Sequence, residues 1–128
     1  MKLIEYAEAS PEVRAVYDDI MAKRKTDYIN NFWKALAHDP VTLKRTWESI
    51  QQVMGAGELD PLVKELIYIA VSVTNGCEYC IASHTAAARM KGMSEGMFGE
   101  LMAVVGMANE TNRLVAGYRV PVDARFQD

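Results

Sequence analysis

Apolar positions along the chain recur mostly at three- and four-residue steps, the period of a helix that buries one face. Val13, Val16, Tyr17, Ile20 and Met21 form the first such stripe. Ser10 precedes it as a cap and Pro11 takes the first helical position, so a helix is predicted from Pro11 to about Lys25. Asn30-Asn31 opens a short helix carrying Phe32, Trp33, Leu36 and Ala37, which closes near His38-Asp39-Pro40. Pro40 begins the next, with Leu43, Trp47, Ile50, Val53 and Met54 on its stripe and Gly55-Ala56-Gly57 ending it as a glycine cap.

At Leu59-Asp60-Pro61 the pattern changes. Beyond this cap and proline the chain is apolar on nearly every face from Leu62 through Val73, which predicts a central buried helix. Thr74-Asn75-Gly76 breaks it, and an alanine-rich helix is predicted from Cys77 to about Met90, stopped by Lys91-Gly92. Ser94 and Glu95 start a further helix containing Phe98, Leu101, Met102 and Val105. A last helix is predicted from about Asn109 to Tyr118, with Val120-Pro121-Val122 leaving it as extended chain.

Composition strengthens this picture. Half of the 128 residues are hydrophobic, and eight methionines stand against four prolines and eight glycines. That balance favours helices packed on helices, so the expected fold is all-α, a single domain over residues 1–128. The net charge is −3 and the 14 basic residues are scattered, which gives no footprint for a nucleic-acid backbone. The apolar run from Leu66 to Val73 is far shorter than the roughly 20 residues of a membrane span, and the N-terminus lacks a positive-then-apolar signal pattern. A soluble cytoplasmic protein is expected, with neither nucleic acid nor membrane as partner.

The two cysteines stand only three positions apart. A bridge across so short a segment removes little freedom from the unfolded chain, so its use is chemical and not structural. Cys77, Cys80 and His84 fall at i, i+3 and i+7, one face of a continuous helix. On that helix the Cβ atoms of the pair would lie about 5–6 Å apart, against about 3.8 Å in a relaxed disulfide, so the first turn must tighten to close the bond and the bond should be easily reduced. Glu65, twelve residues before Cys77 on the buried helix, is a carboxylate in apolar company.

Nucleophilic sulfur must be thiolate, and a free cysteine with a pKa of about 8.5 needs help at neutral pH. The helix N-terminus and His84 can supply it, and Glu65 can take the proton if burial raises its own pKa. An ionised Glu65 would instead oppose thiolate formation. The helix dipole selects Cys77 as attacking sulfur while the His84 spacing selects Cys80, so the residues leave that choice open. The same four side chains also form a conceivable zinc ligand set, although three from one helix plus a carboxylate is an unusual one.

The pattern Glu65, Cys77-Glu78-Tyr79-Cys80, His84 resembles the alkylhydroperoxidase D-like branch of the carboxymuconolactone decarboxylase family. Phe32 to Pro40 upstream and Ala87-Arg89-Lys91-Gly92-Met93-Ser94 downstream are similar to that family too, so the resemblance covers roughly residues 30 to 105. It implies a compact all-helical subunit of about six to seven helices, with the cysteine pair at the N-terminus of a central helix. It further implies assembly into trimers or hexamers, and reduction of hydroperoxides without metal, haem or flavin. Cys80 would be the peroxidatic thiol, Cys77 the resolving thiol, Glu65 the proton acceptor and His84 a relay. The disulfide would be reduced by an outside dithiol, on a lipoyl-bearing or thioredoxin-like protein. Tyr79 stands where some members have a further histidine. The alternatives are a zinc-binding or non-catalytic helical oligomeric module of the same family, or a decarboxylase-like enzyme, against which the cysteine pair argues.

Overall fold

The computed structural model describes residues 1–127. The regular elements among them are all helical: α1 (Pro11–Arg24), α2 (Asn31–Leu36), α3 (Pro40–Met54), α4 (Pro61–Asn75), α5 (Glu78–Met90) and α6 (Glu95–Tyr118), with 3-10 turns at Tyr6–Glu8 and Ala124–Phe126. The chain divides into two compact units, one ending at Gly55 and the other starting at Ala56.

In the first unit side-chain caps set the helix starts, one expected at Ser10 and one at Asp39, where the sequence marked only Pro40. Ser10 Oγ accepts from the Val13 N–H and Asp39 from those of Val41 and Thr42, each followed by a proline whose missing N–H costs nothing at a first helical position. Tyr17, Ile20 and Leu43 are fully buried, and Trp33 meets Trp47 edge to face at 5.4 Å. The polar atoms of this core are satisfied: Trp47 Nε1 donates to Asp19 at 2.7 Å and the Tyr17 hydroxyl donates to the Ile4 carbonyl at 2.8 Å. His38 serves the surface, its Nε2 lying 2.6 Å from the Lys2 carbonyl. Gly55 does end α3, but with φ −66° it is not the left-handed cap expected. Its lack of a side chain matters for another reason, since a Cβ there would come within 2.9 Å of the Gln51 carbonyl oxygen.

The second unit carries the chemistry. Asp60 caps α4 and Ser94 caps α6, again through side-chain oxygens. Both α5 and α6 pack against α4. Ile69, Ala88 and Met93 are buried between them, bordered by Leu62, Leu66, Val73, Phe98, Leu101 and Met102. Full burial of a side chain such as Ile69 is worth about 1.5–3 kcal/mol, which fixes the face that α4 turns inward.

Two expectations are corrected. The predicted helices over Ser94 to Val105 and Asn109 to Tyr118 are one continuous α6. The last helix was expected to begin at about Asn109, yet the Asn109 Nδ2 donates to the Val105 carbonyl four residues back and to Thr74 Oγ1 on α4. It therefore continues the helix and does not start one. Nor is α4 buried on every side, for Ile67 is 49% and Val71 54% exposed while Val63 also faces outward. Among the described residues no helix is long and apolar enough to cross a membrane.

Candidate active site

Two glycine turns build the site. Gly76 ends α4 in the left-handed conformation (φ 69°, ψ 30°), with its own N–H on the Val73 carbonyl and the Cys77 N–H on that of Ser72. This pair of bonds reverses the chain and delivers Cys77 to the start of α5. Gly92 (φ 103°) does the same at the other end, donating to Arg89 while the Met93 N–H returns to Ala88. Lys91 is thereby held as the C-cap of α5 and turned back towards α4.

Cys77 was expected on the helix and instead caps it, with φ −86° and ψ 90°. Its sulfur accepts the Cys80 backbone N–H at 3.4 Å, taking the place an oxygen occupies in an ordinary cap. The strain expected from two cysteines on one continuous helix thus loses its premise, because only Cys80 lies within the first turn. Both cysteines are free thiols and partly accessible. The hydrogen bond from the Cys80 thiol, aided by its backbone N–H, lowers the Cys77 thiol below the usual range. The same bond, with burial added, pushes the Cys80 thiol up. In the reduced pair the first negative charge therefore settles on Cys77.

Glu65, ten residues before the end of α4, meets this region across the α4–α5 packing. Its side chain is 7% exposed and both its oxygens are used. His84 Nδ1 lies 2.7 Å from one, and Lys91 Nζ donates to the other at 3.1 Å. Burial raises the Glu65 carboxyl, but the bonds from His84 and Lys91 outweigh it and hold the group below its ordinary value. The upward push expected from burial is real and is overcome. With Glu65 ionised, Nδ1 of His84 is the N–H donor in this contact.

Tyr68 completes the group. One turn along α4 from Glu65, its ring stacks on the His84 imidazole with centroids 3.5 Å apart and planes 18° from parallel. Burial, and then the charges of Cys80, Cys77 and Glu65, raise its phenol, so it remains protonated beside the sulfurs. Sequence reasoning passed over both Tyr68 and Lys91. Tyr68 had a usable signal, its three-residue spacing from Glu65, whereas Lys91 is 26 residues from Glu65 and no local period links them. Among the described residues no group of three or more His, Cys, Asp or Glu side chains is arranged to hold a metal ion.

Comparison with known proteins adds an independent line. The model of the carboxymuconolactone decarboxylase family matches residues 40–123. No match is found among curated proteins. Among solved structures, the alkylhydroperoxidase AhpD core from Rhodospirillum rubrum is 51% identical, with a TM-score of 0.95 over 100% of this chain and 96% of that one. A family match over most of the chain, and near-coincidence of fold over all of it, agree with the cysteine pair and its carboxylate–imidazole neighbour: the chain belongs to the carboxymuconolactone decarboxylase family and has its alkylhydroperoxidase-type fold.

Proposed function

We propose that this protein is a thiol-dependent hydroperoxidase in which Cys80 attacks the peroxide, Cys77 resolves the product, and His84, held by Glu65, carries protons. The observation supporting this most directly is the sulfur of Cys77 held as the acceptor of the N–H of Cys80, which itself lies one turn from a histidine fixed by a buried carboxylate. The likeness to an alkylhydroperoxidase core supports the choice of substrate class.

The reduced pair shares one proton. As peroxide approaches, that proton moves from Cys80 to Cys77, and the Cys80 thiolate attacks the near oxygen. An S–O bond forms, the O–O bond breaks, and the departing alkoxide takes a proton to leave as alcohol. Cys77, as thiolate again, attacks the sulfenic sulfur, forming the disulfide and expelling hydroxide, which leaves as water. His84 accepts and returns protons through Nε2, while its bond to Glu65 keeps the ring in register and stabilises the imidazolium. The cycle consumes one hydroperoxide and two thiols. An external dithiol, lipoyl-bearing or thioredoxin-like, restores them by exchange. This chemistry suits the cytoplasm, where thiols are kept reduced.

Treating the reduced protein with one equivalent of an organic hydroperoxide should convert it to a form lacking two hydrogens, with the bridge mapped by mass spectrometry to Cys77 and Cys80. Dithiol should reverse the change. Recovery of two unmodified thiols after exposure would end the proposal.

We also propose self-assembly into a trimer or hexamer. Val63, Ile67 and Val71 form an outward apolar stripe on α4, and Val104, Met107, Leu114, Val115 and Tyr118 are exposed on α6. Sedimentation at micromolar concentration should give a multiple of the 14.3 kDa chain mass, and a species of that mass alone would refute assembly.

A further inference from the structure

The anion behind His84 poses a problem for any thiolate chemistry at this site. A lone carboxylate near the cysteine pair repels the charge that must form on sulfur, and it competes with the imidazole for the proton that leaves. Lys91 answers both difficulties, since its ammonium donates to the Glu65 oxygen that His84 does not use, at 3.1 Å. The pair so formed is close to neutral when viewed from the sulfurs. Its geometry is built in, because Gly92 in its left-handed conformation fixes the end of α5 at Lys91.

We propose that Lys91 is a positioning residue of this site: it pins Glu65 as a permanent anion, so that a proton leaving the cysteine pair comes to rest on His84 and not on the carboxylate. This rests on the relay described above and adds the residue that keeps its proton on the imidazole. Glu65 then acts as an orienting group, holding Nδ1–H and stabilising the imidazolium, and its own ionisation stays constant through the cycle. The groups facing the carboxyl are few. α5 brings His84, with Cys80 and Cys77 beyond it, the end of α5 brings Lys91, and α4 itself brings Tyr68. Neither hydrogen bond nor ion pair joins a charged group of α6 to Glu65 among the described residues.

Two readouts that need no peroxide turnover test this. The first is the titration of Glu65, followed by 13C NMR on protein labelled at the glutamate carboxyl carbon and assigned with Glu65→Gln. The second is the pH dependence of cysteine alkylation by iodoacetamide. In Lys91→Met the Glu65 titration should move up by about half to one pH unit, the low end expected for losing a neighbouring cation that is partly exposed. The alkylation midpoint should rise with it. Lys91→Arg should restore both to within about 0.2 of wild type, since the charge and not the packing carries the effect. A lysine that merely braced the helix end would leave both midpoints unmoved, and that result in a folded Lys91→Met protein overturns the inference.

Should that variant not fold, Lys91→Gln serves, since it keeps a polar chain end without the charge: its carboxyl titration should move upward likewise, and an unmoved titration contradicts the inference. Failure of the peroxidase reading is separable, because it appears as absent hydroperoxide consumption with the Lys91 effect on Glu65 intact. The reverse, turnover present with no Lys91 effect, removes only the inference.

Discussion

The Cys80→Ser protein is expected to consume an organic hydroperoxide no faster than the dithiol donor does alone, a loss of at least about a thousandfold, as for removal of any attacking nucleophile. Serine keeps the size and the backbone N–H that donates to the Cys77 sulfur, so the fold and the turn at Gly76 remain. Cys77→Ser should behave differently. Attack by Cys80 persists for a single turnover, and the sulfenic acid, lacking a resolving partner, accumulates and can be trapped on Cys80 with dimedone. Trapping on Cys77 in the Cys80→Ser protein instead would exchange the two roles. That outcome has a physical route, since the resting charge of the reduced pair favours Cys77. Undiminished peroxide consumption by the doubly substituted protein would discard thiol chemistry altogether.

Glu65→Gln should lower kcat/KM by about 10²–10⁴-fold, the range associated with losing a positioned acid–base group. An amide cannot hold the His84 Nδ1–H as an anion does, so the imidazole loses its fixed tautomer and the stabilisation of its charged form. His84→Ala should fall in the same range, and the double variant should be little worse than either, because the two act as one unit. Additive losses would show that they act separately. Glu65→Gln should also cost about 1–2 kcal/mol of stability, as two hydrogen bonds to a charged acceptor are weakened. The sign of its pH dependence follows from the lowered carboxyl. The stabilisation is present above the unfolded value, about 4.5 for glutamate, and is lost as pH falls through the lower folded value. Urea unfolding across that acid range should show a shallower dependence in the variant than in the wild type.

How much of this was legible beforehand divides along a physical line. Helix starts at Ser10-Pro11, Asp60-Pro61 and Ser94 were readable because a cap is satisfied within three residues of itself, and the start at Pro40 was readable from its proline. Gly76 was readable because a left-handed residue between two helices favours glycine. Asn109 misled for an instructive reason. The same side chain that caps a helix can bond the carbonyl four residues behind it, and the partner on α4 decides which. The outward stripe of α4 misled similarly, for an apolar residue such as Val71 signals burial against something without saying whether that something is in the same chain.

For the site, the amino-acid order alone put two sulfurs and an imidazole on one helical face, since cysteine spacing and helical period are local properties; the carboxylate of Glu65 joined them through the family resemblance. Tertiary structure decided what the carboxylate is. Packing α5 on α4 closed the long gap between Glu65 and Lys91, stacked Tyr68 on His84, and moved Cys77 off the helix into a capping position. Charges act through space, so the ionisation of Glu65 depends on which groups the fold brings beside it, and no period along the chain encodes that.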